Sequence, residues 1–206
     1  MGLMQRRSEK SRKTNETDVR VAIDLDGGEY RHETGVGFFD HMLDHVARHG
    51  GLGLTIEAKG DTHIDDHHTV EDVGIVFGQA LAEALGEKRG IERYGDAAAP
   101  MDEALARVAL DLSGRAALVF RVPWTGHGDD APAITGETIG RFDVQLVEEF
   151  FNAVVNNARM NLHVEVPWGR NNHHIAEAIF KAFGRSLRAA VKVTGDQTPS
   201  TKGTLT

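Results

Sequence analysis

The chain contains one plan twice, and that repetition constrains its fold more tightly than any other feature. His67-His68-Thr69-Val70-Glu71 is echoed by His173-His174-Ile175-Ala176-Glu177, 106 positions later (67 to 173). Upstream, Leu52-Gly53-Leu54-Thr55-Ile56-Glu57 is echoed by Met160-Asn161-Leu162-His163-Val164-Glu165 at an offset of 108 (52 to 160), which sets His41 against Glu149. Polar residues repeat as well as apolar ones, so the match is more than two similar amphipathic patterns. A period near 100 residues is too long for a solenoid. It implies a duplicated small α/β unit and a pseudo-twofold molecule.

Periodicity fills in each half. Val19, Val21, Ile23 and Leu25 alternate as a strand, Gly27-Gly28 reads as a hairpin turn, and Tyr30 to Thr34 as the returning strand. Phe38, Phe39, Met42, Leu43 and Val46 recur at helical spacing, closed by Gly50-Gly51. Leu52, Leu54 and Ile56 alternate again, and Val70, Val73, Phe77, Leu81 and Ala84 mark a helix over 69–85. The second half reads as strands over 105–112 and 117–122 around Ser113-Gly114, and a polar loop over 124–136. A helix over 142–157, a strand over 160–166 and a helix over 173–193 follow. The last residues, 194–206, have no periodicity and read as an extended or mobile tail.

Composition narrows the chemistry. The 206 residues suffice for one large domain or two small ones. There is no cysteine, so thiolate ligands and disulfides are excluded and any metal must be held by nitrogen and oxygen. The net charge of −8 argues against a nucleic-acid binder. No stretch approaches the roughly 20 apolar residues that span a bilayer. The basic start, Met1 to Lys13, lacks an apolar segment, and Arg6 replaces the Ser or Thr of a myristoylation signal, so a cytoplasmic protein is expected.

The unusual count is histidine, at 11. On a helix, positions i and i+4 share a face, so His67 with Glu71, and His173 with Glu177, can grip one ion each. His68 and His174 lie about 100° further round their helices and point elsewhere. With His41 and Glu149 these make eight candidate ligands, which divide naturally into two sites of four. Such imidazole–carboxylate sets suit Mn²⁺, Fe²⁺, Zn²⁺ or Co²⁺. The spacing is not the His-Glu-x-x-His of a metalloprotease.

The chain resembles the imidazole glycerol-phosphate dehydratase family. The match is carried by Arg12-Lys13-Thr14-Asn15-Glu16-Thr17, Ile23-Asp24-Leu25-Asp26-Gly27, Gly35 to Leu43, Gly60-Asp61 through His67 to Asp72, Gly90-Ile91-Glu92-Arg93 and Pro100 to Ala104. It continues through Leu110 to Arg115, Asn172-His173-His174 through Glu177, Phe180-Lys181-Ala182 and Pro199-Ser200-Thr201-Lys202-Gly203. The resemblance implies an α+β fold of two duplicated two-layer halves, each a four-stranded sheet packed on two helices. The expected divisions are a basic mobile tail (1–11), the two halves (12–95 and 96–193) and a C-terminal tail (194–206) bearing substrate-binding Ser200, Thr201 and Lys202. It also implies two Mn²⁺ per active site and self-association into a 24-subunit homo-oligomer whose sites are shared between subunits. One departure stands out: the family often has His where this chain has Glu149, which makes that site harder and more anionic.

The implied reaction is metal-dependent dehydration of imidazole glycerol phosphate to imidazole acetol phosphate in histidine biosynthesis. The phosphatase domain that some members carry is not expected within 206 residues. A carbon-bound proton must leave, and the metals stabilise the charge that develops on the imidazole. The resemblance makes Glu16 the general base, with Glu71 and Glu177 as further catalytic carboxylates. His45 and His49 are candidates for acid help to the leaving hydroxyl and for substrate contact, together with His41, His67, Glu71 and His173. Arg93, Arg115, Lys181, Ser200, Thr201 and Lys202 are candidates for the phosphate. The alternatives are a metal-dependent hydrolase of a small phosphorylated substrate and a non-catalytic metal store. The Glu16 stretch and the cationic tail fit the dehydratase better.

Overall fold

The computed structural model describes residues 6–124 and 138–205. The first half runs β1 (Arg7–Lys13), β2 (Thr17–Asp24), β3 (Tyr30–Glu33), α1 (Gly37–Gly50), β4 (Gly53–Gly60) and α2 (His67–Leu85). The second runs β5 (Tyr94–Met101), β6 (Ala104–Asp111), β7 (Ala117–Arg121), a small hairpin β8–β9 (Thr138–Ile139 and Phe142–Asp143), α3 (Gln145–Ala158), β10 (Asn161–Trp168) and α4 (Asn172–Ala190). The sheets have matching orders, β1-β2-β4-β3 and β5-β6-β10-β7, so the expected duplicated α+β fold is present.

Each sheet turns one face inward. Val19, Val21 and Ile23 of β2 and Leu54, Ile56 and Ala58 of β4 are buried, as are Ala106, Val108 and Leu110 of β6 and Leu162, Val164 and Val166 of β10. Helix α2 covers β1 and β2, and α4 covers β5 and β6. The helices then meet in the middle as two pairs, α1 on α4 and α2 on α3, so each pair joins the two halves. Between them lies a column of buried phenylalanines: Phe39, Phe77, Phe150, Phe151, Phe180 and Phe183. Close approach depends on glycine. A Cβ at Gly184 would lie 2.9 Å from the Val46 carbonyl oxygen of α1, and one at Gly78 would lie 2.7 Å from that of Val154 of α3. Gly78 and Gly184 are 106 positions apart, the separation of the His-His-x-x-Glu motifs.

One expected turn is corrected, and the structure adds detail at three of the expected divisions. Gly27-Gly28 is not a hairpin turn, because β4 lies between β2 and β3 and runs parallel to β3. β4 carries the apolar face and takes the centre, whereas β3 is short, largely exposed and suited to an edge. The tail expected over 1–11 is a strand from Arg7, paired with β2. The boundary at residue 95 cuts β5, an edge strand that carries Pro100. The C-terminal segment is strapped down: Thr194 and Gly195 donate to the Gly90 carbonyl, and the Gly90 N–H donates to Gln197. The polar loop expected over 124–136 lies outside the described residues from 125 onward.

Candidate metal centre

The candidate ligands fall at the two helix pairs, and at α1/α4 they close into a cluster. At α1/α4, His41, His45 and His49 fall at i, i+4 and i+8 on one face of α1, opposite His173, Glu177 and Lys181 of α4. Glu177 is buried and sits at the centre. One oxygen, Oε2, lies 3.3 Å from His173 Nε2 and 3.9 Å from His41 Nε2. The other, Oε1, lies 2.5 Å from Lys181 Nζ and 3.4 Å from His45 Nε2. His41 and His45 bring their Nε2 atoms within 3.3 Å of each other. His41, His45 and Glu177 are the one set among the described residues whose ligand atoms all lie within 4.8 Å of one another. Phe38 packs edge-on to His173.

Charge states follow from these surroundings. Burial pushes His45 down to about 4, against the pull of Glu177, and His41, Lys181 and His49 push the same way as burial. His45 is therefore a neutral imidazole with a free lone pair at neutral pH. Burial raises Glu177, but the Lys181 ammonium, His45 and His173 together outweigh it and hold the carboxylate below its ordinary range. His49 is also lowered, by burial first and then by Lys181, Arg185 and Arg48.

At α2/α3, the N-terminus of α2 presents His67, His68 and Glu71, all partly exposed. His68 turns away from His67 (ring planes 78° apart) and sets Nδ1 3.0 Å from Asp61 and 3.9 Å from Glu16. The Asp61 hydrogen bond raises the His68 pKa against slight desolvation, with smaller help from the Asp61 charge, Glu16 and Asp65. Glu16 lies on the β1–β2 turn, which is fixed locally. Its N–H donates to Thr14 Oγ1, and Arg12 and the Thr17 hydroxyl both donate to Asp72 of α2. His67 lines a cleft of about 280 Å³ with Asp65, Asp66, Arg141 and Asp143. Glu149 is half-buried on α3.

His174 repeats the arrangement of His68. Its Nδ1 lies 2.7 Å from Glu103, and the side chain of Asn171 caps the helix by accepting from the His173 and His174 N–H groups. Burial raises Glu103, but His174 and the backbone N–H groups of Arg170, Asn171 and Glu103 itself bring it down to about 2. In both second histidines a carboxylate engages Nδ1, the arrangement in which an imidazole offers Nε2 to a metal; the Nε2 of His174 lies 3.7 Å from Asp102. Asp61 and Glu103 were not singled out as anchors from the sequence. Asp61 lies seven residues before its histidine, but nothing local signals Glu103, 71 residues away.

The phosphate candidates are spread. Lys181 is engaged by Glu177. Arg93 is not free either: it makes a two-pronged salt bridge to Asp111 (2.7 and 3.0 Å), stacks over Tyr94, and donates to the Pro199 carbonyl at 2.8 Å. It thereby anchors the tail just before Ser200, Thr201 and Lys202, which form a turn in which the Lys202 N–H donates to Ser200 Oγ. Arg115 is exposed beside the Ser113 hydroxyl, which accepts from its N–H. The eight ligand candidates thus divide between two helix pairs. The donor set of imidazoles and carboxylates, with no thiolate, fits a borderline or hard dication.

A family described as imidazoleglycerol-phosphate dehydratase matches residues 34–187. The chain is 56% identical to a protein of that name from Ruegeria pomeroyi, over 97% of this chain and the whole of that one. It is 53% identical to the one from Neisseria gonorrhoeae over 95% of this chain, and spans 63% of that longer relative. Its fold is similar to the crystal structure of the Staphylococcus aureus imidazoleglycerol-phosphate dehydratase (TM-score 0.79, 44% identity, 91% of this chain and 99% of that one).

Proposed function

This chain belongs to the imidazoleglycerol-phosphate dehydratase family, and on that premise we propose that it dehydrates D-erythro-imidazole glycerol phosphate to imidazole acetol phosphate in histidine biosynthesis. The observation that carries the reading is the pairing of Glu16 with the imidazole–carboxylate clusters. A carboxylate on an anchored turn stands 3.9 Å from His68, and among the described residues no Lys or Arg pairs with it.

His41, His173 and Glu177 would hold one metal and His67, Glu71 and Glu149 the other, with His68 and His174 completing them. Mn²⁺ is the first candidate, ahead of Fe²⁺, Co²⁺ and Zn²⁺. When bound, the metals act as Lewis acids toward the substrate's imidazole and lower the cost of the charge that develops on it. Glu16 takes the carbon-bound proton as general base. Glu71 and Glu177 supply the carboxylate oxygen at each helix pair. His45 and His49 line the approach along α1. Arg115, Lys181, Ser200, Thr201 and Lys202 receive the phosphate, and Arg93 sets the tail that carries three of them. Two clusters on separate helix pairs are consistent with active sites completed between neighbouring subunits, and we assign the chain a 24-subunit homo-oligomeric assembly in the cytoplasm. No helix among the described residues is long and apolar enough to cross a membrane.

The test is Glu16→Gln. The amide keeps the shape of the side chain but cannot accept the proton. We expect unchanged metal content and substrate affinity, with turnover down by roughly 10²-fold or more. A variant that turns over at the parent rate places the base elsewhere.

A further inference from the structure

The pseudo-twofold exchanges α1 with α3 and α4 with α2, so each residue of the α1/α4 cluster has a counterpart at α2/α3. Glu177 corresponds to Glu71 and His173 to His67, at an offset of 106. The rest differ. His41 corresponds to Glu149, His45 to Ala153 and Lys181 to Ile75. The first cluster therefore has two imidazoles and a cation where the second has a carboxylate, a methyl group and an apolar side chain. His68 and His174 are alike, each an imidazole tethered through Nδ1 to a carboxylate, and add nothing to the difference.

We propose that the two metal half-sites are chemically unequal, with His45 a direct ligand at α1/α4, so that this half-site favours a borderline dication such as Zn²⁺ or Co²⁺ while the Glu71/Glu149 half-site favours a hard one such as Mn²⁺. The proposal rests on the metal reading given above and deepens it. Its geometric support is the set of separations around His45. For metal–ligand bonds of about 2.0–2.1 Å, adjacent ligand atoms lie ~3.0 Å apart on an octahedron and ~3.3 Å on a tetrahedron. The His41–His45 separation is 3.3 Å; Glu177 offers Oε1 at 3.4 Å from His45 and Oε2 at 3.3 Å from His173, while His41 lies 3.9 Å from Oε2 and must close by about 0.5 Å. An ion among them meets ligand atoms already near their bound spacing.

Charge gives the second argument. At α1/α4 one carboxylate, Glu177, is already compensated by Lys181 at 2.5 Å. Two carboxylates, Glu71 and Glu149, stand in the other set, and their counterpart to Lys181 is Ile75. Nitrogen-rich sets of low charge select toward the late first-row metals. Oxygen-rich anionic sets narrow that preference and suit Mn²⁺ or Mg²⁺. Zn²⁺ outbinds Mn²⁺ at most nitrogen/oxygen sites, so the quantity that separates the half-sites is the Zn²⁺:Mn²⁺ ratio at each.

The full assembly, stripped and then equilibrated with both ions, should be crystallised and its anomalous scattering measured at both absorption edges. The expected result is a Zn²⁺:Mn²⁺ ratio at least ten-fold higher at α1/α4, with the ion there bonded to His45 Nε2. His45→Ala, which copies the Ala153 found at the equivalent position, should bring the two ratios together. Equal ratios in the parent protein, an ion held by His41 and Glu177 with His45 beyond bonding distance, or an unchanged ratio in His45→Ala would each overturn the proposal and leave the metal reading standing. No anomalous peak at either helix pair would remove both.

Discussion

Gly184 ties the packing of the helices to the geometry of the metal centre, and replacing it with Ala tests that link. The added Cβ would lie 2.9 Å from the Val46 carbonyl oxygen, 3.1 Å from the Gly50 nitrogen and 3.2 Å from the His45 carbonyl oxygen. All three are backbone atoms of α1, so no side chain can swing aside, and α1 must retreat from α4 by about 0.5 Å to restore ordinary contact. Overpacking of this kind costs about 1–3 kcal/mol. Alanine in a helix interior recovers about 1 kcal/mol over glycine. The expected net loss is about 1 kcal/mol. The functional effect is larger, because α1 carries His41 and His45 while α4 carries His173 and Glu177. A ligand displaced by about 0.5 Å exceeds the ~0.2 Å tolerance of a metal bond, so metal affinity at α1/α4 should fall about ten-fold. Competition with a chelator reads the affinity, and denaturant unfolding of the stripped protein reads the stability. Gly37→Ala at the start of α1, where a Cβ meets nothing within 4 Å, is the control. If Gly184→Ala matches Gly37→Ala in both measurements, the helix contact does not set the metal centre.

Other expectations follow from single contacts. Asp111→Asn weakens the two-pronged hold on Arg93 and with it the anchor on the Pro199 carbonyl. KM should rise about ten-fold with little change in kcat, and the segment after Thr194 should be cut faster by protease; unchanged KM and cleavage would free Arg93 of the anchoring role. Deleting residues from Pro199 onward should raise KM more than Asp111→Asn does, and a smaller rise would show that the tail does not bind substrate. His32 is held below 6.5 because burial outweighs the pull of Asp44 and Asp40, and its Nε2 has no hydrogen-bond partner among the described residues. The unfolded chain takes up a proton that the folded chain refuses. Its contribution is therefore full above pH 6.5 and declines below it toward the lowered folded value. Unfolding midpoints measured across that range should fall with acid, and less steeply in His32→Gln; parallel slopes would assign the acid sensitivity to other groups.

Much of this was legible in the sequence because the chemistry is periodic. His173 and Glu177 meet at i and i+4 as the helix spacing requires, and the buried faces of β2, β4, β6 and β10 follow strict alternation. What was missed lies at edges and across distance. β1 and β5 carry Arg-Ser-Glu-Lys and Ala-Ala-Ala-Pro stretches with no apolar alternation, because an edge strand buries little and needs none. The position of β4 between β2 and β3 is a competition between strands for the sheet centre, which local turn residues do not record. The i+4 spacing of His45 from His41 is also legible in the sequence, whereas the approach of Glu177 to both comes only from the packing of α1 on α4. That Lys181 pairs with Glu177, and Arg93 with Asp111, is visible only in the tertiary fold.

The most direct measurement strips the assembly with chelator, restores Mn²⁺, and follows imidazole glycerol phosphate to its enolisable ketone product. Turnover that vanishes with the metal, returns with Mn²⁺ and is lost in Glu16→Gln is the expected result. Phosphate release in place of ketone would point to a hydrolase, and no reaction from a folded, metal-loaded assembly would contradict the dehydratase account.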